Sequence, residues 1–350
     1  MTKTGTTTST ATSPATMRAA WIERFGGPEE LRVGERPTPR PRAGEVLVAV
    51  HAAAINPRDW MIRAGTYPGK AMLPRLPFIL GSDLAGVVVG HGARLDAAAA
   101  AALPVGTRVA AMVPSRDGFG AFAEFAAVRA AAVVPLPDSI DFASAAATPL
   151  AAQTALQALR DDAGLGRRRR SEGVRVAVLG ASGGVGTFAV QIARQLGASE
   201  VVGVASGLNE QLVRDLGATD FVDYKSHDPT EAIRDVDIVF DVIARHRLAS
   251  CRPMLRPGGV YATTIPSPRA AWDSLRTRAV GLAWRRAPQS RMVMVRSRGD
   301  DLRQLVAWLA DGRLRAVIDR TAPLDEIGEL FAHSRTFRSR GKNVVQIAGD

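Results

Sequence analysis

Seven residues, Gly180-Ala181-Ser182-Gly183-Gly184-Val185-Gly186, have the types and spacing to hold a phosphate-bearing ligand. The apolar run 174–179 before them reads as a buried strand, and 185–196 after them as a helix. Ala181-x-Gly183-x-x-Gly186 therefore falls on a strand-to-helix turn, the context a dinucleotide fingerprint requires. Glycine at 183 lets backbone approach a pyrophosphate, and glycine at 186 lets the helix pack on the strand. Ala181 stands where the usual motif has its first glycine. The free N–H groups from Ser182 through Val185 and the helix dipole would then bind the phosphates.

The choice of dinucleotide turns on the tip of the next strand, 201–205. Sites selective for NAD carry a carboxylate there for the ribose hydroxyls. This chain continues Ser206-Gly207-Leu208-Asn209, and Glu210 is expected on the following helix. Ser206 can donate to a 2′-phosphate without repelling it. Arg214, Lys225 and the basic stretch near 338–342 are further candidates for positive charge. NADPH is the expected cofactor.

These residues need a frame. From 17 to about 131 the pattern is short strands broken by turns, at 18–22, 45–51, 79–89, 107–113 and 121–128. That predicts a β-rich, partly open barrel. Helical spacing covers 145–159, and strands at 174–179, 201–205, 221–224, 236–243, 260–264 and 291–295 then alternate with helices. Such alternation predicts a parallel, doubly wound sheet and an α/β fold. Beyond 298 a helix at 302–309, a strand near 317, a helix at 324–331 and a strand at 343–347 are too few for a third domain. They are expected to return and complete the β-rich part. The domain reading is a tail 1–16, a β-rich unit 17–143 completed by 298–350, and a cofactor unit 144–297.

At 350 residues the chain can bury two cores. No apolar run approaches the roughly 18 residues of a membrane span. Residues 1–16 lack an apolar core and arginines, so they fit neither a secretory nor a mitochondrial leader; a disordered tail, or a start at Met17, is expected. The single cysteine, Cys251, excludes an intrachain disulfide and points to a reducing cytoplasm. The net charge of +11 suits a polyanionic partner or attraction of phosphate-bearing ligands. The basic run 167–170 has no interleaved aromatics, so it reads as a solvated loop, and nucleic acid is not expected.

Further motifs are Ile55-Asn56-Pro57-Arg58-Asp59, Arg63-Ala64-Gly65-Thr66-Tyr67-Pro68, Leu80-Gly81-Ser82-Asp83-Leu84-Ala85-Gly86-Val87 and Gly106-Thr107-Arg108-Val109. Gly120-Ala121-Phe122-Ala123-Glu124-Phe125, Leu216-Gly217-Ala218 and Pro257-Gly258-Gly259 follow. With the glycine turn, the chain over 17–348 resembles the medium-chain dehydrogenase/reductase superfamily, in its zinc-free quinone oxidoreductase branch, which includes zeta-crystallin. The resemblance implies a GroES-like β-rich catalytic domain beside a Rossmann cofactor domain. It also implies hydride transfer from NADPH to a quinone or an activated C=C such as an enone, and a homodimer formed through the strand near 292–295.

Zinc-dependent members have Cys where this chain has Asn56, and a His-Glu pair where it has Ser82-Asp83. With one cysteine and five histidines lacking paired ligand spacing, no metal is expected. The resemblance implies that Asn56 lies near the nicotinamide and bonds the substrate carbonyl, and that Tyr67 sits on the substrate loop. Asp59 is either a third catalytic candidate or a cap for a helix starting near Trp60. Tyr224 matches a tyrosine at the adenosine-phosphate end. Val242 precedes Ile243-Ala244-Arg245, where relatives have Val-Gly-Gly, and Arg245 would favour an acidic substrate if it faces the cleft. Arg338 and Ser339 replace a His-Ala pair before Arg-Gly-Lys in a C-terminal cofactor contact. Two other functions suit the same resemblance: RNA binding on a retained fold, and trans-acting enoyl reduction in a polyketide pathway.

Overall fold

The computed structural model describes residues 14–114, 118–167, 173–284 and 286–348. The expected N-terminal tail through residue 13, and Arg168 to Arg170, lie outside these; the tail's last expected residue, Thr16, instead opens a strand, and the Thr38 N–H donates to the Ala15 carbonyl. The first part of the chain forms β1 (Thr16–Ile22), β2 (Arg32–Pro37), β3 (Glu45–Ile55), α1 (Pro57–Arg63), β4 (Phe78–Ile79), β5 (Asp83–His91), α2 (Ala97–Ala102), β6 (Arg108–Met112), β7 (Phe125–Arg129) and β8 (Val133–Pro135). Two helices follow, α3 (Phe142–Ala147) and α4 (Pro149–Leu156). The sequence pattern predicts one helix here. Pro149 divides it, because proline lacks the N–H an inner turn needs yet suits a first turn.

Next come β9 (Val174–Leu179), α5 (Gly184–Gln195), β10 (Ala198–Ala205), α6 (Glu210–Asp215), β11 (Asp220–Asp223), α7 (Pro229–Ala232) and β12 (Val236–Asp241). They are followed by α8 (Leu248–Cys251), β13 (Leu255–Thr263), α9 (Pro268–Ala283) and β14 (Gln289–Met292). These strands form a six-stranded parallel sheet in the order β11-β10-β9-β12-β13-β14. β9 and β12 are apolar along most of their length because helices cover both faces at the sheet centre. Phe188, Ile192, Leu156 and Phe240 pack one side, and Val239, Met254, Tyr261 and Cys251 the other. Burial pushes the Cys251 thiol up to about 12, as befits a small packing residue.

The chain ends its described path with α10 (Gly299–Ala310), β15 (Ile318–Pro323), α11 (Ile327–Arg335) and β16 (Lys342–Gln346). β16 pairs antiparallel with β3, setting Asn343 opposite Ile55, and β15 pairs with β16. The N-terminal sheet therefore runs β15-β16-β3-β5-β6-β8, with β7 also on β3. β3 is antiparallel to β5 as well, with Ala54 opposite Asp83. The end of β3, the start of β5 and the start of β16 thus meet at one point. That convergence positions the site.

Candidate active site

Between the seven-stranded and six-stranded sheets, which a third, three-stranded sheet (β2-β1-β4) accompanies, lies a cleft of about 1860 Å³. On one wall the glycine turn leaves β9 through Gly180 in the left-handed region (φ 88°), and Gly183 caps α5. A Cβ on Gly186 would lie 2.0 Å from the Gly180 carbonyl oxygen, so helix and strand touch backbone to backbone. Gly341 pairs with Gly183 and donates its N–H to the Ser182 carbonyl at 2.9 Å. The C-terminal segment therefore clasps the glycine turn. Asn209 Nδ2 donates to Ser182 Oγ at 3.1 Å.

Ser182, Gly183, Gly184, Val185, Ser206, Tyr224, Val242, Arg338 and Ser339 all line this cleft, as do Lys225, Arg340 and Arg245. Ala181 and Gly186 are packed behind them. Ser206 Oγ is buried and has no hydrogen-bond partner, a donor left for a ligand. Arg214 corrects the sequence reading: it pairs with Glu210 at 2.9 Å and does not line the cleft. The strand tip is also less free of carboxylate than the sequence suggests. Asp223 comes from the neighbouring β11, and its Oδ2 lies 2.7 Å from where a Cβ on Gly207 would sit.

The opposite end holds Asn56, Arg58, Met61, Tyr67, Met112 and Leu150. Asn56, at the end of β3, opens α1. Its side chain does not offer a ready donor to a substrate, as the sequence reading expects: Nδ2 donates to Asp83 Oδ2 at 2.9 Å, and Oδ1 accepts from Lys342 Nζ at 2.6 Å. Lys342 also lies 3.5 Å from Asp83, with side-chain exposures of 3% and 0%. Asp83 Oδ1 accepts the Leu150 N–H at 3.0 Å. Burial pulls the Lys342 ammonium below its ordinary value and raises the Asp83 carboxyl, while each opposes the other's shift. Lys342 and Arg58 stand within the sequence motifs but are given no role there at this end of the cleft. Single-sequence patterning could not join them to positions so distant along the chain.

Asp59 takes the capping alternative rather than the catalytic one, on a helix that starts three residues earlier than expected. α1 begins at Pro57, so Asp59 sits inside its first turn, where Oδ2 accepts the Asn56 N–H at 2.8 Å. It is fully buried and does not line the cleft, which removes it from contact with an acceptor. Desolvation pushes its carboxyl up to about 7, against the pull of Arg58 and the Asn56 N–H. The buried protonated form favours folding. That contribution is complete below about 4 and is lost as pH rises through about 7. Asp59→Asn, which imitates the protonated acid, is expected to flatten the decline in melting temperature between about pH 4 and 7. A slope as steep as that of the parent chain would remove Asp59 as its source.

Residues 42–138 match the family described as alcohol dehydrogenase GroES-like domain, and residues 216–345 the family described as zinc-binding dehydrogenase. The chain is 32% identical to the chloroplastic NADPH-dependent alkenal/one oxidoreductase of Arabidopsis thaliana, over 97% of this chain and 81% of that one. It belongs to the medium-chain dehydrogenase/reductase superfamily, in the quinone oxidoreductase branch. A chloroplast envelope quinone oxidoreductase homolog of the same plant is 31% identical over 92% of this chain and 95% of its own length. The solved quinone oxidoreductase of Coxiella burnetii superposes with a TM-score of 0.83 at 27% identity, covering 95% of this chain and 100% of that structure.

Membership brings a metal to the test. At the positions zinc-dependent members use, this chain has an amide, a hydroxyl and one carboxylate, and Lys342 Nζ is already bonded to the first and beside the third. The Ser82 hydroxyl is taken by Arg58 Nη2. Two side-chain cations in such a donor set repel a divalent ion, so the residues present do not fit zinc.

Proposed function

We propose that the chain is an NADPH-dependent reductase of quinones and enones that works without zinc. The observation that carries this reading is the cleft itself: a glycine phosphate turn and the unpartnered Ser206 Oγ on one wall, with apolar residues and fixed cations at the far end. The relatives' printed activities, alkenal/one and quinone reduction, support it. Ala181 through Gly186 would hold the pyrophosphate, Ser206, Tyr224, Lys225, Arg338 and Ser339 the adenosine phosphate end, and Val242 the nicotinamide side. Bound NADPH supplies the hydride. Tyr67, which packs partly buried beside the cleft, would orient the acceptor, and the apolar lining excludes water.

Residues 17–143 with 298–350 would form the catalytic unit and 144–297 the cofactor unit, a division supported by sheet membership. A homodimer formed across β14 belongs to the same reading, since β14 is an edge strand paired on one side only. Cytoplasmic placement is supported by the single cysteine; no described helix is long and apolar enough to cross a membrane.

The function is tested by following NADPH loss with quinones, enones and enoyl thioesters. Turnover is expected with the first two classes, and none with either overturns the reading. The cofactor is tested by Ser206→Asp, which sets a carboxylate against the 2′-phosphate. NADPH affinity is expected to fall at least about tenfold relative to NADH. An unchanged ratio would detach Ser206 from cofactor choice.

A further inference from the structure

Arg58 has no assigned role in the reading above, yet it lines the acceptor end of the cleft, where the other cation, Lys342, is already bonded to Asn56 and beside Asp83. It follows the last residue of β3 by three positions and sits in the first turn of α1, which turns its side chain toward the start of β5. There Nη2 donates to Ser82 Oγ, and the guanidinium carbon lies 5.6 Å from the centre of the Phe119 ring. Nε is buried with no hydrogen-bond partner. Among the described residues no carboxylate forms an ion pair with Arg58, although Asp59 and Asp83 lie within its field. Ser82 is one of the positions at which zinc-dependent members hold their metal. A positive charge is therefore built into the chain where those members borrow one from solution.

We propose that Arg58 is a catalytic residue of this chain, whose guanidinium binds the acceptor oxygen and stabilises the negative charge that reduction places on it. The inference rests on the proposed reduction. When a hydride forms a C–H bond at the β-carbon of an enone, the former C=C pair shifts toward the carbonyl carbon. The C=O π pair moves onto oxygen, leaving an enolate. Arg58 donates hydrogen bonds to that oxygen and keeps its own protons, since guanidinium is always charged at working pH. A proton from water then reaches the α-carbon to complete the saturated ketone. A quinone follows the same course, ending as a hydroquinone after protonation. A cation fixed in a poorly solvated cleft needs no reorganisation as this charge develops.

The probe is 4-nitrophenol bound to the NADP⁺-loaded protein, because its phenolate imitates the anionic oxygen and is visible by absorbance. The bound phenol is expected to ionise about one unit or more below its value in water. Arg58→Gln is expected to abolish that shift and to lower kcat for enones about 10²–10³-fold, with the Kd for NADPH unchanged. Arg58→Lys keeps the charge and is expected to keep most of the shift. A folded Gln variant with the full shift, or a folded Lys variant with none, overturns the proposal. Wild-type protein that turns over no quinone or enone would defeat the reductase reading instead, while the phenolate titration would still decide Arg58.

Discussion

Replacing Lys342 with Met is expected to destabilise the folded chain by about 3–5 kcal/mol, measured by urea denaturation. The methionine can follow the lysine stem past Gly184, where the Lys342 Cδ already lies 2.9 Å from the position of an added Cβ. Shape is therefore largely kept and charge is lost. Asp83, fully buried, would keep its bonds to Asn56 Nδ2 and the Leu150 N–H but lose the ammonium 3.5 Å away. Asn56 Oδ1 would lose its donor at 2.6 Å. The variant must either bury an uncompensated carboxylate or protonate it. The double variant Lys342→Met, Asp83→Asn removes both charges, and is expected to recover most of the loss. If the single variant costs under about 1 kcal/mol, the pair is not the fastening the geometry indicates.

Gly186→Ala is expected to abolish cofactor binding and lower the melting temperature, because the new Cβ would sit 2.0 Å from Gly180 O and 2.8 Å from its carbonyl carbon. Both neighbours are backbone, so relief requires α5 to move away from β9 and spoils the phosphate turn. Gly183→Ala provides the contrast. Its Cβ would meet Gly180 O at 3.5 Å, an ordinary contact, so this variant should fold normally. It fills the space a pyrophosphate would occupy, and NADPH affinity is expected to fall about tenfold or more with little change in melting temperature. Equal melting temperatures for the two variants would show that the packing argument for Gly186 is wrong.

The glycine turn and the parallel strands were legible because their signals are local: a six-residue run with five apolar residues, then glycines at fixed offsets, then a helical period. The return of the C-terminal strand to the first sheet was legible by elimination, since too few elements followed residue 298. Pro149 hid behind an otherwise continuous apolar spacing. The bounds of α9 were not legible because it places Trp272 and Leu275 in solvent, so its apolar residues do not mark a buried face. Arg214 looked available for a phosphate, and only the fold shows it bonded to Glu210 one turn back. The ionic cluster at the cleft end was least legible. Asn56 follows β3, Asp83 opens β5 and Lys342 opens β16, and sequence gives no distance between residues separated by 286 positions.

That separation bears on how the chain is made. The seven-stranded sheet begins with β3, but β3 waits for β16 as one of its neighbours, and β16 is translated only after the whole parallel sheet. During synthesis, at roughly 5–20 residues per second, the edge of β3 that β16 will cover stands open for many seconds, with Asp83 still lacking its ammonium. The parallel sheet needs no such late arrival among its own strands. The second unit can thus complete its sheet before the first unit completes its own.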